Sequence, residues 1–270
     1  KSRSGFSPYD EKTDYVEAYG QYDISLDDHH MIAGLRYLDH EDAGDRIIWS
    51  LNYGYHFTPV TRLTASAATG FRYPSANERY GFGGNPNLKP EESLSYELAL
   101  RHQPAPGHAL SASLFRNDID NLIQFVIVTP PFTGFNQNVE RARIDGVELE
   151  YDFNKGPWSL ALSATFQDPK DRDDDSRLLR RAYHTQSVRL GYDTDRWSLG
   201  TDVLLSGDRK DFGDITLDSY TLVNLNGNYQ INSNWQLFAK VENLFDEQYE
   251  LASGFNTQDR IGYLGIRYQR

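Results

Sequence analysis

Apolar and polar residues alternate with a period of two along almost the whole chain. Between Trp197 and Leu205, residues Trp197, Leu199, Val203 and Leu205 fall on one face, and Ser198, Gly200 and Asp202 on the other. Further on, Val223, Leu225, Tyr229 and Ile231 oppose Asn224, Asn226, Asn228 and Gln230, and Trp235, Leu237, Ala239 and Val241 oppose Gln236, Lys240 and Glu242. Successive strand side chains point to opposite faces, so this pattern predicts β-strands with one apolar and one polar face. Segments 12–25, 31–40, 46–57, 62–71, 93–103, 108–118, 139–153, 158–167, 184–193 and 261–269 follow it too. The expectation is about thirteen strands and no helical segment.

The connections between these strands alternate in length. Tight turns are expected at 26–29, 57–60, 103–107, 154–157, 193–196 and 231–234, and mostly long loops at 72–92, 129–138, 168–183, 207–218 and 246–260. Short turns at one rim and long loops at the other describe an outer-membrane barrel. The serial Asn, Gln, Lys and Glu of the polar faces suit a wet lumen. A soluble all-β domain, a carbohydrate-binding module or a hydrolase, is the competing reading; it turns the same apolar face inward.

Composition narrows the field further. Mean hydropathy is -0.65, and no run reaches the ~18 apolar residues that a membrane helix needs. A barrel escapes that test because only alternate residues face lipid. The 18 tyrosines suit interfacial girdles, with Tyr53, Tyr55, Phe57, Trp158, Trp197, Trp235 and Phe245 near strand ends. The absence of cysteine excludes disulfides and thiolate metal sites. A net charge of -12 argues against nucleic acid as a partner. Nothing at the start resembles a signal peptide, and Lys1-Ser2-Arg3-Ser4 reads as an interior starting point, so a single barrel domain over 1–270, part of a longer protein, is expected.

Particular motifs carry a family resemblance. Asn243-Leu244-Phe245-Asp246-Glu247-Gln248-Tyr249, with Asp259-Arg260 and a last amphipathic strand, resembles the closing segment of TonB-dependent outer-membrane receptors. Phe71-Arg72-Tyr73-Pro74-Ser75 and Asn85-Pro86-Asn87-Leu88-Lys89-Pro90-Glu91 are similar to their loop-to-strand passage. The runs 80–88, 115–123 and 141–148 look closer to the vitamin B12 (cobalamin) receptors, as does Leu178-Leu179-Arg180-Arg181-Ala182. Ferric siderophore and haem receptors share several of these motifs and remain alternatives. The resemblance implies an antiparallel transmembrane β-barrel of roughly 22 strands, of which this chain holds about thirteen, without the N-terminal plug domain. It also implies cobalamin as transported ligand, no covalent cofactor, TonB engaged through the absent N-terminal region, and the outer membrane of a Gram-negative bacterium, with its lipid and lipopolysaccharide. No catalysis is implied. The family usually ends on an aromatic residue, where this chain has Arg270, with Tyr268 the nearest aromatic.

The resemblance also singles out residues. Arg180, expected with Arg181 to open a strand at the long-loop rim, matches an arginine that approaches the vitamin; its guanidinium suits the amides and phosphate of a corrinoid. The competing role is a salt bridge to a loop carboxylate. Phe255 matches an aromatic facing the ligand cavity, and Tyr80 and Phe82 in the Gly-rich loop are candidates of the same kind. Asp168, Asp171, Asp173, Asp174 and Asp175 read as a solvated charge run, or as carboxylates sharing divalent cations with lipopolysaccharide; the family's calcium sites match loops upstream of this chain. His40 and His184 are the histidines near the outer rim. Asp118 and Asp120, two apart on one strand, could look like an acid/base couple, with no partner motif beside them.

Overall fold

The computed structural model of the protein describes residues 12–129 and 133–270. The strands are β1 (Tyr15–Leu26), β2 (His29–His40), β3 (Gly44–Thr58), β4 (Thr61–Arg72), β5 (Glu91–His102), β6 (His108–Thr129), β7 (Thr133–Lys155), β8 (Trp158–Asp171), β9 (His184–Asp193) and β10 (Trp197–Ser206), the short β11 (Arg209–Lys210) and β12 (Thr216–Leu217), then β13 (Tyr220–Gln230), β14 (Trp235–Glu242) and β15 (Ile261–Tyr268). Thirteen of them make one sheet in which β1 to β10 are followed by β13 to β15, each strand beside its predecessor. Every pairing is antiparallel, as short connections require. β11 and β12 form a separate two-stranded ribbon inside the β10–β13 connection.

The register keeps one apolar face continuous from strand to strand. Trp197 lies opposite Tyr229, Thr201 opposite Leu225, and Val203 opposite Val223. The same face continues through Leu199 opposite Tyr192 and Val203 opposite Val188 on β9, then Leu162 opposite Val188 on β8. These side chains are not a buried core: Leu199 is 46% exposed, Leu225 37% and Leu237 39%. An exposed apolar face this extensive marks a surface that water does not cover. On the opposite face small and polar residues predominate, with Ser163 bonded to Ser187 at 2.7 Å, Ser95 to Asn117 at 3.0 Å and Arg189 to Asp202 at 2.9 Å.

Near the tight turns the apolar face ends in aromatic pairs directly across the register. Ring centroids lie 4.7 Å apart for Trp158 and Tyr192, 4.4 Å for Trp197 and Tyr229, and 4.8 Å for Trp235 and Tyr268. Tyr55 meets the Phe57 edge at 4.9 Å. This is the girdle expected at one membrane interface. From Trp158, the ten residues of β8 up to Asp168 span about 33 Å, or about 25 Å of height at a tilt of about 40°. That equals the height of an outer-membrane apolar band, and the first charged residues of the outer face appear there.

Two expectations are corrected. Of the loop expected at 129–138, residue 129 and residues 133–138 are strand, since β6 and β7 run on to pair Thr129 with Thr133, while 130–132 lie outside the described residues; β-branched and aromatic residues from Leu122 to Val126 sustain the extended backbone. The chain also contains a short helix, α1 (Ala76–Tyr80), and a 3₁₀ turn at Phe212–Asp214. Ser75 accepts from the Glu78 amide while Glu78 returns a bond to the Ser75 amide, a capping box that the Ser-x-x-Glu spacing announces.

Candidate functional site at the long-loop rim

The loop between β8 and β9 leans over the polar face. Leu178 is 2% exposed and packs with Leu122, Ala142 and Ile144, against Phe115 and Ile119. Ile144 and Ile119 belong to the same face as Asn117 and Ser95, so Leu178 pins the loop inward. Its amide donates to the Pro169 carbonyl at 3.0 Å. The Arg177 guanidinium lies 3.7 Å over the Tyr183 ring and pairs with Asp208 at 2.7 Å, whose carboxyl it holds below the usual carboxylate range.

Arg180 follows in a left-handed conformation, φ 59°, which costs a non-glycine residue roughly 1–2 kcal/mol. Its amide donates to the Lys210 carbonyl at 2.7 Å. Nε reaches Asp211 Oδ1 at 2.8 Å, and the guanidinium lies 4.9 Å from the Phe212 ring centroid. Arg180 therefore does not open a strand, since β9 starts at His184; its turn instead lets one side chain cross to the β10–β13 connection.

Asp211 is the centre of this cluster. It is 1% exposed and accepts from Arg180, from the Phe212 amide at 2.9 Å and from the Ser253 amide at 2.6 Å. Burial pushes its carboxyl up, but the bonds from Arg180 and the two amides outweigh that and hold it below the usual range. Three long connections thus meet on one carboxylate. Phe255, two residues past Ser253, is 68% exposed, so the structure brings its loop to Arg180 and leaves its ring free.

Tyr80 and Phe82 belong to a second cluster. The Phe82 ring stacks on Phe125 at 6.0 Å, and the Arg79 guanidinium lies 5.0 Å from the Tyr80 ring. Gly83 has φ 64°, where a side chain would run into Phe125 and the backbone of β7. Its carbonyl accepts from the Asn136 amide at 2.7 Å, and the Asn136 side chain donates to the Glu78 carbonyl at 3.1 Å. Arg79 bonds Asp42 at 2.9 Å and also Tyr73, whose hydroxyl donates to Asp42 at 2.8 Å. The bond from Tyr73 and then that from Arg79 lower the Asp42 carboxyl, while burial and Asp42 raise the Tyr73 hydroxyl.

Sequence reasoning missed Asp211 and Asp42, and placed Leu178 in a motif without its packing role. Asp-Phe-Gly-Asp signals a turn, yet nothing in it reveals that its carboxylate faces an arginine 31 residues away. Two members of the acidic run are ion-paired, Asp173 with Arg141 of β7 at 3.0 Å and Asp168 with Lys170 at 2.9 Å. Among the described residues no group of three His, Asp or Glu can hold a metal ion. Asp118 pairs with Arg143 at 2.6 Å, as a structural ion pair.

The sequence matches the family described as TonB dependent receptor-like, beta-barrel, over residues 2–244. It is 35% identical over 254 residues to the vitamin B12 transporter BtuB of Vibrio vulnificus, covering 94% of this chain and 41% of that protein. With the vitamin B12 transporter BtuB of Photobacterium profundum it shares 30% over 277 residues, 99% of this chain and 45% of that one. The chain thus spans less than half the length of these relatives. Among solved structures, the siderophore receptor PirA from Acinetobacter baumannii superposes with a TM-score of 0.80 at 21% identity, over 99% of this chain and 48% of that one. The ferric enterobactin receptor PfeA of Pseudomonas aeruginosa does so at 0.79 and 22%, over 94% and 45%. At that identity they establish the fold: a partial β-barrel.

Proposed function

The chain belongs to the TonB-dependent receptor β-barrel family, which makes it part of a receptor rather than an enzyme, and from that premise we propose that it forms the ligand-gathering wall of a cobalamin importer. The observation that carries the ligand is the identity of 30–35% to proteins named vitamin B12 transporter, across nearly the whole chain. Residues 1–270 act as one barrel domain in the outer membrane, bounded by lipid and lipopolysaccharide. Uptake belongs to the whole protein, with TonB engaged through a region outside this chain. No covalent cofactor is involved.

In this reading Arg180 is the polar contact. Its strained backbone is held by Lys210 and Leu178 at the inner rim, the kind of cost that functional positions carry. Asp211 takes one edge of the guanidinium and leaves the remaining donors for an amide or phosphate oxygen. Phe255, exposed on the loop whose Ser253 amide meets Asp211, offers a ring face to a flat macrocycle, and Tyr80 and Phe82 are further aromatic contacts in this reading.

The test is binding of cyanocobalamin to the whole protein in detergent, with haem and a ferric siderophore as competitors. Arg180→Ala should weaken cobalamin binding about tenfold or more, the loss of a charge-assisted bond. Binding of a competitor with indifference to cobalamin would remove the vitamin from the proposal and leave the receptor standing.

A further inference from the structure

The run Asp208-Arg209-Lys210-Asp211 sets two cations between two carboxylates. The fold gives both carboxylates to the other loop, Asp208 to Arg177 at 2.7 Å and Asp211 to Arg180 at 2.8 Å. Arg209, which opens β11, is left without one. It is 8% exposed, and among the described residues its side chain makes one hydrogen bond, from Nη2 to Ser206 Oγ at 2.7 Å. Its Nε is buried with no hydrogen-bond partner. Asp214 and Asp218, the remaining carboxylates of this connection, are exposed and make no bond to it. A buried charge without a counterion is costly, so such a site must hold its cation by other means.

What the guanidinium has instead is a ring. It lies 5.1 Å from the centroid of Tyr220, the first residue of β13, itself 8% exposed. The Tyr220 ring in turn lies 4.4 Å from that of Tyr249, in the last long loop. Tyr249 is the base of the segment that carries Phe255, because Thr257 Oγ1 donates to the Tyr249 carbonyl at 2.6 Å and closes residues 249 to 257 on themselves. Leu217, paired with Arg209 across the ribbon, and Tyr249 line one cavity of about 490 Å³ with Asn256 and Thr257, so ribbon and loop face each other here. The loop therefore hangs from two points: the Ser253 amide on Asp211, and the Tyr249 ring at its base.

We infer that Arg209 is a positioning residue for the ligand contact at Phe255. Through Tyr220 it fixes the Tyr249 ring, and so the base of the segment from which Phe255 projects. A cation suits this task because its attraction to a ring face strengthens where water is excluded, and no carboxylate competes for it here. The bond to Ser206 sets the direction of the guanidinium. Asp211 and Arg209, neighbours on one ribbon, thus hold the same loop by different chemistry, one at its tip and one at its base. The inference rests on the receptor reading for what Phe255 meets, and on the geometry alone for how the loop is held.

The test is a double-mutant cycle in the whole protein in detergent, read by cyanocobalamin affinity and by hydrogen exchange over 246–260. Arg209→Gln should weaken cyanocobalamin about fivefold, the loss of one desolvated cation–ring contact. It should also speed exchange at 249–257 and leave β13 and β14 unchanged. Arg209→Lys, which keeps a cation over the ring, should stay within about twofold of the wild type. The deciding arm is Phe255→Ala: if Arg209 acts through Phe255, adding Arg209→Gln to it should weaken binding no further. Equal losses in both backgrounds, or a lysine variant as weak as the glutamine one, would overturn the inference and leave Arg209 a packing residue. If Arg209→Gln does not fold, Tyr249→Leu breaks the same stack from the loop side and must show the same dependence on Phe255. Exchange keeps the two failures apart. A wild type indifferent to cyanocobalamin sinks the cobalamin reading, whereas unchanged exchange at 249–257 in Arg209→Gln sinks this one.

Discussion

The two ends of this sheet are built from different chemistry. At the tight-turn end, Trp158, Trp197 and Trp235 each meet a tyrosine on the neighbouring strand, and the contacts are neutral rings. At the long-loop end, the joints are ion pairs: Arg177 with Asp208, Arg180 with Asp211, Arg79 with Asp42. The first end needs amphipathic side chains that tolerate a gradient from hydrocarbon to water. The second must hold long connections in place in water, where only directional, partly buried bonds fix a loop. The difference teaches that anchoring and positioning are separable in this molecule, and substitutions should separate them.

The largest effect is expected between the two ends. Leu225→Arg puts a charge on the apolar face within the membrane band and should cost about 2–4 kcal/mol. Unfolding in bilayers would measure it, and the protein that remains folded should bind ligand normally. Next comes Asp211→Ala, which strands Arg180 and two amides and should cost the rim about 2 kcal/mol. Its signature is faster proteolysis within 207–218 and 246–260 and weaker ligand binding, with the sheet's unfolding temperature nearly unchanged. Trp197→Ala should do the reverse, lowering unfolding stability by about 1–2 kcal/mol through the lost ring pair and area while sparing ligand affinity. If both variants shifted both readouts, the separation would be wrong.

The smallest effect is that of mild acid. Asp42, Asp208 and Asp211 are all held below their ordinary carboxylate range. Such groups contribute stability fully above the unfolded value of about 3.9 and lose it as pH falls through the lower folded one. Loop protection should therefore be flat from pH 8 to about 5 and fail only well below pH 4. A midpoint near 6 would break the assignment to these three carboxylates.

The strands were legible because a period of two survives wherever one face must meet lipid; Trp197 to Leu205 announces β10 without help. The tight turns were legible from Asn, Asp, Gly and Pro. The β6–β7 extension was not, because Asn136 and Asn138 look like loop residues; in fact Asn138 bonds the Lys89 amide and the Asn121 carbonyl, and serves the strands it interrupts in composition. At the rim, the resemblance drew attention to Arg180 and Phe255, and the structure brings their loops together. Asp211, which joins them, was invisible, since a carboxylate's partner across 31 residues is decided by where two loops lean. Leu178 decides that lean, and although it opens a motif, nothing in the sequence says which residues it packs against.

The strand order has a kinetic consequence. Among the described residues each strand of the large sheet pairs with the strands before and after it in that sheet, so its contacts do not wait for a distant segment to arrive. The loop-closure entropy is met in small steps, one hairpin at a time, and a growing sheet can be extended without threading. The largest single steps are the bridges from β4 to β5 and from β14 to β15, each eighteen residues long, against thirteen between Ser206 and Tyr220. The β11–β12 ribbon shortens the β10–β13 span by folding on itself, which leaves the two longer bridges as the natural places for assembly to pause.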